Sequence, residues 1–287
     1  MAAHPGIFYS KYSPIEKAGH IILGIPWDGT VSGRPGTRFG PLSIRTATLG
    51  VEDYSPYQHR DISDLKIFDA GDIEIPVGDS TAVLTAIRNE YSRLINENAP
   101  LVTLGGEHLI TLPLVQLIHE KYGDDLFVVQ FDAHADLRTD YLGVEFSHAT
   151  VMHHVSGLVG VDNTAAIGIR SGSRDEWERL RSHPNYFGGA SGRAVDEIGA
   201  LAKTLAGRKL YITCDLDIFD PGIMPGTGTP EPGGIGFRDF IAILKNFNGC
   251  DIIGADLVEL APDYDSSGIS SALAATVLRE ILLIMEK

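Results

Sequence analysis

Disulfide chemistry has almost no place in this chain, which has two cysteines, Cys214 and Cys250, in 287 residues. A chain of this length buries a sizeable core without covalent staples, so both are read as reduced core residues. No apolar run approaches the roughly 18 to 20 residues that cross a bilayer. The opening MAAHPGIFYSKYSP lacks a basic segment followed by an apolar one, so a cytoplasmic protein with no membrane partner is expected. Positive charge is scarce too: 23 Lys and Arg against 38 Asp and Glu leave a formal charge of -15. That balance argues against nucleic acid or an anionic membrane as partner and favours cationic ligands. Also missing are a GxxxxGK[ST] phosphate loop, a GxGxxG after a strand and a working EF-hand. In DLDIFDPG, Phe219 takes the fifth position of such a loop and Asp220 that of its glycine.

What the chain does have is apolar patterning. Hydrophobic residues make up 44% of it and gather in short runs at 20–24, 67–69, 101–104, 126–131, 165–169, 209–214 and 252–257. Rich in Val, Ile and Leu without clean alternation, such runs suit strands covered on both faces. Helical spacing is predicted between them, over 80–96 with Val83, Ile87, Tyr91 and Ile95 on one face, and over 111–122, 195–205 and 270–285. This order implies an α/β fold, one domain over 1–287 with a mostly parallel central sheet in a three-layer α/β/α arrangement. The Gly/Pro-rich stretches 29–41 and 220–234 each follow a strand and are expected as shaped loops.

In open α/β sheets, ligands bind outside the carboxyl ends of the strands. Three predicted strand ends carry metal-capable side chains: LVTLGGEH ends on His108, VVQFDAHAD on Asp132, His134 and Asp136, and LYITCDLD on Asp215 and Asp217. Residues two apart in an extended segment share a face, so each set is expected to converge. Four carboxylates at a dry strand end repel one another, and two divalent cations would neutralise them. Carboxylates with a minority of imidazoles suit Mn²⁺ better than Zn²⁺, so a pair of manganese ions is the expected cofactor. A lone Asp after a strand is more readily a helix cap; the repetition at three strand ends argues for a metal centre.

Around these residues stand GGEH (105–108), DAHAD (132–136), SHAT (147–150), DLDIFDP (215–221), PGTGTPEPGG (225–234) and DLVELAP (256–262). GIPWDGTVSGRPGTRFGPLSIR (24–45) precedes them. In this order they resemble the ureohydrolase family of arginases and agmatinases, over roughly residues 20–285. The resemblance implies an arginase-like fold and a hydrolase that cleaves a guanidino group to release urea. It implies two Mn²⁺ per subunit, one held by His108, Asp132, Asp136 and Asp215 and the other by Asp132, His134, Asp215 and Asp217. Two cations lower the pKa of a shared water enough to give a nucleophile at neutral pH. Glu259 would hold the guanidinium by paired hydrogen bonds, and Asp136 would relay a proton to the departing amine. His148, matching the family's histidine, has an ordinary pKa of about 6.5 that suits the same proton traffic. A homotrimer or homohexamer is implied as well.

Substrate choice falls to the stretch between DAHAD and His148. Arginases resemble one another there in a Thr/Ser/Asn-rich segment, whereas LRTDYLGVEFS (137–147) offers Arg138, Asp140, Tyr141 and Glu145 in a spacing like that of agmatinases. Carboxylates and an aromatic face suit the amine end of agmatine, so hydrolysis to putrescine and urea leads. An Arg138 pointing into the pocket would instead invite a carboxylate, with guanidinobutyrate or a similar guanidino acid as substrate. Arginine itself suits this segment less well, and a mononuclear zinc deacetylase on the related fold would need only one Asp/His/Asp set. Arg138 and Tyr141 are thus candidate substrate residues, and Thr229 either touches the substrate or caps a turn. Glu107 is read as supporting the ligand histidine beside it. Arg34, Arg38 and Arg45 are read as structural pairs or subunit contacts, and His153 and His154 as helix residues near the mouth.

Overall fold

The apolar runs assemble edge to edge. A computed structural model of the protein describes residues 7–9, 13–95, 99–188 and 192–286. Its strands are β1 (His20–Ile25), β2 (Tyr54–Ser55), β3 (Arg60–Asp61), β4 (Ile67–Asp72), β5 (Leu101–Gly105), β6 (Leu126–Phe131), β7 (Thr164–Ile167), β8 (Tyr186–Phe187), β9 (Lys209–Asp215) and β10 (Asp251–Val258). β2 and β3 form a small antiparallel pair. The other eight make one sheet in the order β4-β1-β5-β10-β9-β6-β7-β8, every pairing parallel. The helices are α1 (Gly40–Thr48), α2 (Ser80–Leu94), α3 (Thr111–Tyr122), α4 (Val151–Val159), α5 (Arg174–Arg181), α6 (Gly192–Thr204), α7 (Phe237–Leu244) and α8 (Ile269–Met285).

The strand pleat sorts side chains onto two helical layers. In β6, Phe127, Val129 and Phe131 pack with Ile44 of α1, Ile198 of α6, Phe240 of α7 and Leu278 of α8. Leu126 and Val128 point the other way, toward Val83 and Ile87 of α2, Leu114 and Ile118 of α3 and Val155 of α4. Burial on both faces explains why the run reads as continuously apolar, and the three-layer α/β/α fold is the result.

Several elements differ from the expectation. The predicted strand at 165–169 starts at Thr164 and ends at Ile167. The helix expected over 80–96 ends at Leu94, and Asn96 lies outside the described residues. α5 carries only two apolar residues, Trp177 and the buried Leu180, too few for a periodic signal. Its signal is the capping box, in which Ser173 and Glu176 bond each other's backbone N–H. α7 is short and apolar and was hidden behind the Gly/Pro-rich 220–234.

The arginines of the opening segment are structural. Arg45, buried, binds Asp69 through two bonds of 2.7 and 2.9 Å and Asp72 through a third, tying α1 to β4. Arg38 pairs with Asp28, and Arg34 donates to the Thr227 carbonyl at 2.7 Å while lying over the Tyr264 ring. Both cysteines are free; Cys214 is buried, but Cys250 is only half-buried at the core's rim. Among the described residues no helix is long and apolar enough to cross a membrane.

Candidate metal centre

β5, β10, β9 and β6 are consecutive in the sheet and parallel, so their carboxyl ends open on one edge. His108 follows β5, Asp132 to Asp136 follow β6, Asp215 ends β9, and Glu259 comes directly after β10. GGEH lets the chain leave β5 tightly: a Cβ on Gly106 would stand 1.9 Å from the Trp27 carbonyl oxygen, which only glycine avoids. The convergence itself has a different cause from the one the spacing suggests. β6 stops at Phe131, and Asp136 is turned inward by a left-handed backbone of φ 52°. Asp217 lies in the 3₁₀ turn Leu216–Ile218 rather than on the strand. Turns, not the pleat, bring the alternating residues together.

All six expected ligands meet. His108 Nδ1 is 3.1 Å from Asp132 Oδ2, 3.1 Å from Asp136 Oδ2 and 3.5 Å from Asp215 Oδ2. His134 Nδ1 is 2.8 Å from Asp217 Oδ2 and 3.9 Å from Asp132 Oδ1. His108, Asp132 and Asp136 form one triad of converging ligand atoms; Asp132, His134 and Asp217 form a second, so Asp132 belongs to both. Local hydrogen bonds fix the carboxylates. The N–H of His134 holds Asp132 Oδ1 at 2.6 Å, that of Asp217 holds Asp215 Oδ1 at 2.8 Å, and that of Ala133 holds Asp217 Oδ1 at 3.0 Å.

The electrostatics fit a cation. Burial, then repulsion by Asp136 and Asp217, raises Asp132 to about 7, and burial with Asp217 and Asp132 raises Asp215 well above the carboxylate range. Burial opposes charge on the two imidazoles, yet the carboxylates lift His134 to about 10 and His108 well above its ordinary value. Burial also pushes Asp217 up, but the adjoining His134 leaves it below its usual range. Two raised acids, Asp132 and Asp215, beside two raised bases, His108 and His134, mark a centre short of positive charge. His108 Nδ1 is buried with no hydrogen-bond partner although three carboxylate oxygens surround it. With a divalent ion in place of the Nδ1 proton, this nitrogen and the surrounding carboxylates make a donor set, so the residues fit the implied metal.

Beside this centre lies a cavity of about 290 Å³, lined among others by Asp136, Arg138, Tyr141, His148, Glu176 and Glu259. Glu259 is nearly buried and has φ 66°, a costly conformation for a residue with a Cβ. Its Oε1 accepts the His108 N–H at 2.8 Å. Burial and the neighbouring Glu107 raise its carboxyl well above the usual range. Glu107 stays off the metal triads: it binds the N–H and hydroxyl of Thr30, and the Thr30 oxygen accepts the His148 N–H at 3.1 Å. His148 is held at Nε2 by Ser32 at 3.2 Å, meets the Tyr141 ring edge-on, and has its pKa lowered mainly by burial. Thr229 lines the same cavity; His153 and His154 lie in α4 outside it. Sequence reasoning missed Ser32, Ser171 and Glu176, which line the cavity, and Glu231, whose Oε1 lies 3.7 Å from His134 Nε2. Glu176 is buried, accepts the Leu137 N–H at 3.0 Å and lies 3.6 Å from Arg138 Nε; the S-x-x-E capping box was its available signal.

A parallel α/β/α sheet whose carboxyl edge gathers four carboxylates and two imidazoles beside a cavity lined by charged side chains is the arrangement that a metal-dependent hydrolase needs. The Arginase family model matches residues 18–284. The chain is 38% identical over 279 residues to an agmatinase of Bacillus subtilis (strain 168), covering 96% of this chain and 95% of that one. Among solved structures it superposes on the agmatine ureohydrolase of Thermoplasma volcanium at a TM-score of 0.86 and 31% identity, over 96% of this chain and 92% of that one. The proclavaminate amidino hydrolase of Streptomyces clavuligerus gives 0.83 and 29%, over 98% and 99%. The chain belongs to the arginase family. It is an agmatinase-like, metal-dependent ureohydrolase.

Proposed function

We propose that this protein hydrolyses agmatine to putrescine and urea with two manganese ions per subunit. The observation that carries the reading is the pair of ligand triads sharing Asp132. His108, Asp132, Asp136 and Asp215 would hold one ion, and Asp132, His134, Asp215 and Asp217 the other, Asp132 and Asp215 serving both. Bound there, the ions would lower the pKa of a coordinated water enough to give a nucleophile at neutral pH.

The chain's own residues do the rest. Glu259, fixed through Oε1 by the His108 N–H, presents its other oxygen to the cavity and pairs with the guanidinium. The guanidinium carbon is deactivated by resonance, so this positioning is a large share of the catalysis. Asp136, turned into the centre, takes the proton that the attacking water gives up and delivers it to the departing amine as its bond to the guanidinium carbon breaks. His148, kept mainly neutral by burial, passes protons between that amine and solvent beside Ser32. Thr229 and Tyr141 line the substrate's path.

Arg138 also lines the cavity, and this favours a second reading, a guanidino acid such as guanidinobutyrate. Glu176 at 3.6 Å and the Tyr141 ring at 5.1 Å offset its charge, which supports the cationic tail of agmatine. A panel of guanidino compounds assayed for urea with Mn²⁺, Ni²⁺ and Zn²⁺, alongside metal content, tests the proposal. Agmatine with Mn²⁺ should lead, and Asp215→Ala should abolish both urea release and uptake of the second ion. One metal per subunit would return the zinc deacetylase reading, and urea from a guanidino acid alone would overturn the substrate. We also propose one ureohydrolase domain over 1–287 and a cytoplasmic homotrimer or homohexamer; sedimentation distinguishes the assemblies.

A further inference from the structure

The far side of each ligand histidine is treated differently. His134 Nε2 faces Glu231 Oε1 at 3.7 Å, too long for a hydrogen bond, at a position where His134 is 24% exposed. His108 Nε2 instead lies 2.8 Å from Thr213 Oγ1, at full burial. Thr213 Oγ1 in turn donates to Asp256 Oδ1 at 2.7 Å. The same carboxylate takes the Tyr211 hydroxyl at 2.7 Å and the Thr111 hydroxyl at 2.9 Å on Oδ2. The register that pairs Asp256 of β10 with Thr213 of β9 puts these two side by side in the sheet, Thr111 reaches them from the start of α3, and all are buried.

A hydroxyl has one proton. Three hydroxyls surround Asp256, which has only acceptors to offer when ionised, so Thr213 gives its proton to the carboxylate and can only accept from His108. The imidazole proton is thereby committed to Nε2. In the neutral ring that a metal would bind, the lone pair is then left on Nδ1, the nitrogen aimed among Asp132, Asp136 and Asp215. Resting on the two-metal reading above, we propose that Asp256 and Thr213 are positioning residues that fix His108 as the Nε2–H tautomer and so prepare one metal site in advance. Without the relay the buried ring is free to carry its proton on Nδ1, where it blocks ligation.

Mn²⁺ binding to the full chain, read by competition with a fluorescent chelator and by bound metal per subunit, tests this. Thr213→Val and Thr213→Ala should weaken one of the two Mn²⁺ by about 10- to 100-fold, while Thr213→Ser, which restores the hydroxyl, stays within about threefold of the parent. Thr111→Val removes another hydroxyl from Asp256, 3.3 Å from Thr213 but not on His108, and should also stay within about threefold. If Thr213→Val does not fold, Thr213→Ala reads the same effect through a smaller change. Undiminished binding in the folded Thr213 variants, or an equal loss in Thr111→Val, overturns the proposal and leaves the two-metal reading intact. An unaltered chain that takes up fewer than two Mn²⁺ overturns both.

Discussion

Replacing Glu259 by glutamine tests whether this carboxylate holds the guanidinium. Glutamine keeps the volume and the left-handed backbone, and its carbonyl oxygen can still accept the His108 N–H that Glu259 Oε1 holds at 2.8 Å. Its amide then faces the cavity and turns a donor toward the N–H groups of the substrate. The change removes a hydrogen bond between charged partners, about 1.5–3 kcal/mol, and sets donor against donor, about 1–3 kcal/mol more. Together these make roughly 2.5–6 kcal/mol, a fall of roughly 10²- to 10⁴-fold in kcat/KM. Glu259 lies in neither ligand triad, so bound metal and unfolding midpoint should be unchanged. Steady-state urea release from agmatine, with metal content measured on the same preparation, reads the result. A kcat/KM within tenfold of the parent at full metal content would refute the reasoning, as would a loss of activity fully explained by lost metal.

Three further outcomes follow from the structure. His20 is buried with neither ring nitrogen hydrogen-bonded, and burial lowers its pKa to about 4. The unfolded chain, with an ordinary histidine at about 6.5, therefore binds more protons between those values, so stability falls as pH drops from 6.5 to 4, by about 3 kcal/mol. Denaturation midpoints measured against pH should lose this slope in His20→Phe. Arg45→Met leaves Asp69 and Asp72 without their partner and should cost about 3 kcal/mol, the low end for a buried pair because both acids reach solvent; urea unfolding checks it. Arg138, with its side chain 40% exposed, exerts a screened charge of about 1 kcal/mol. Arg138→Ala should leave agmatine turnover level or raise it by up to about fivefold, and a larger fall, steeper still for guanidinobutyrate, would make the acid the substrate.

How much could be read from the chain depends on range. The strand runs were legible because a parallel strand covered on both faces must be apolar throughout, and β6 appears at its predicted bounds, Leu126–Phe131. The same is true of α3 at Thr111–Tyr122, an apolar run whose first two turns are buried almost throughout. α5 was not legible because Arg174–Arg181 is almost wholly polar and finds its place through a capping box and Leu180. Glu176 went unseen with it.

The sequence by itself determined which residues meet at the centre: His108, Asp132, His134, Asp136, Asp215 and Asp217 each stand at or just beyond the end of an apolar run, and ligand chemistry is a property of residue type. Only the tertiary structure decided how they meet. Asp136 arrives by a left-handed turn, and Asp132 is common to both triads because β6 and β9 are neighbours. The hydrogen bond from His108 to Thr213 and on to Asp256 links the turn after β5 to β9 and β10, segments that are far apart in the chain. No local pattern records such a bond, because hydrogen bonds form between atoms close in space, and strand order in the sheet sets which atoms those are.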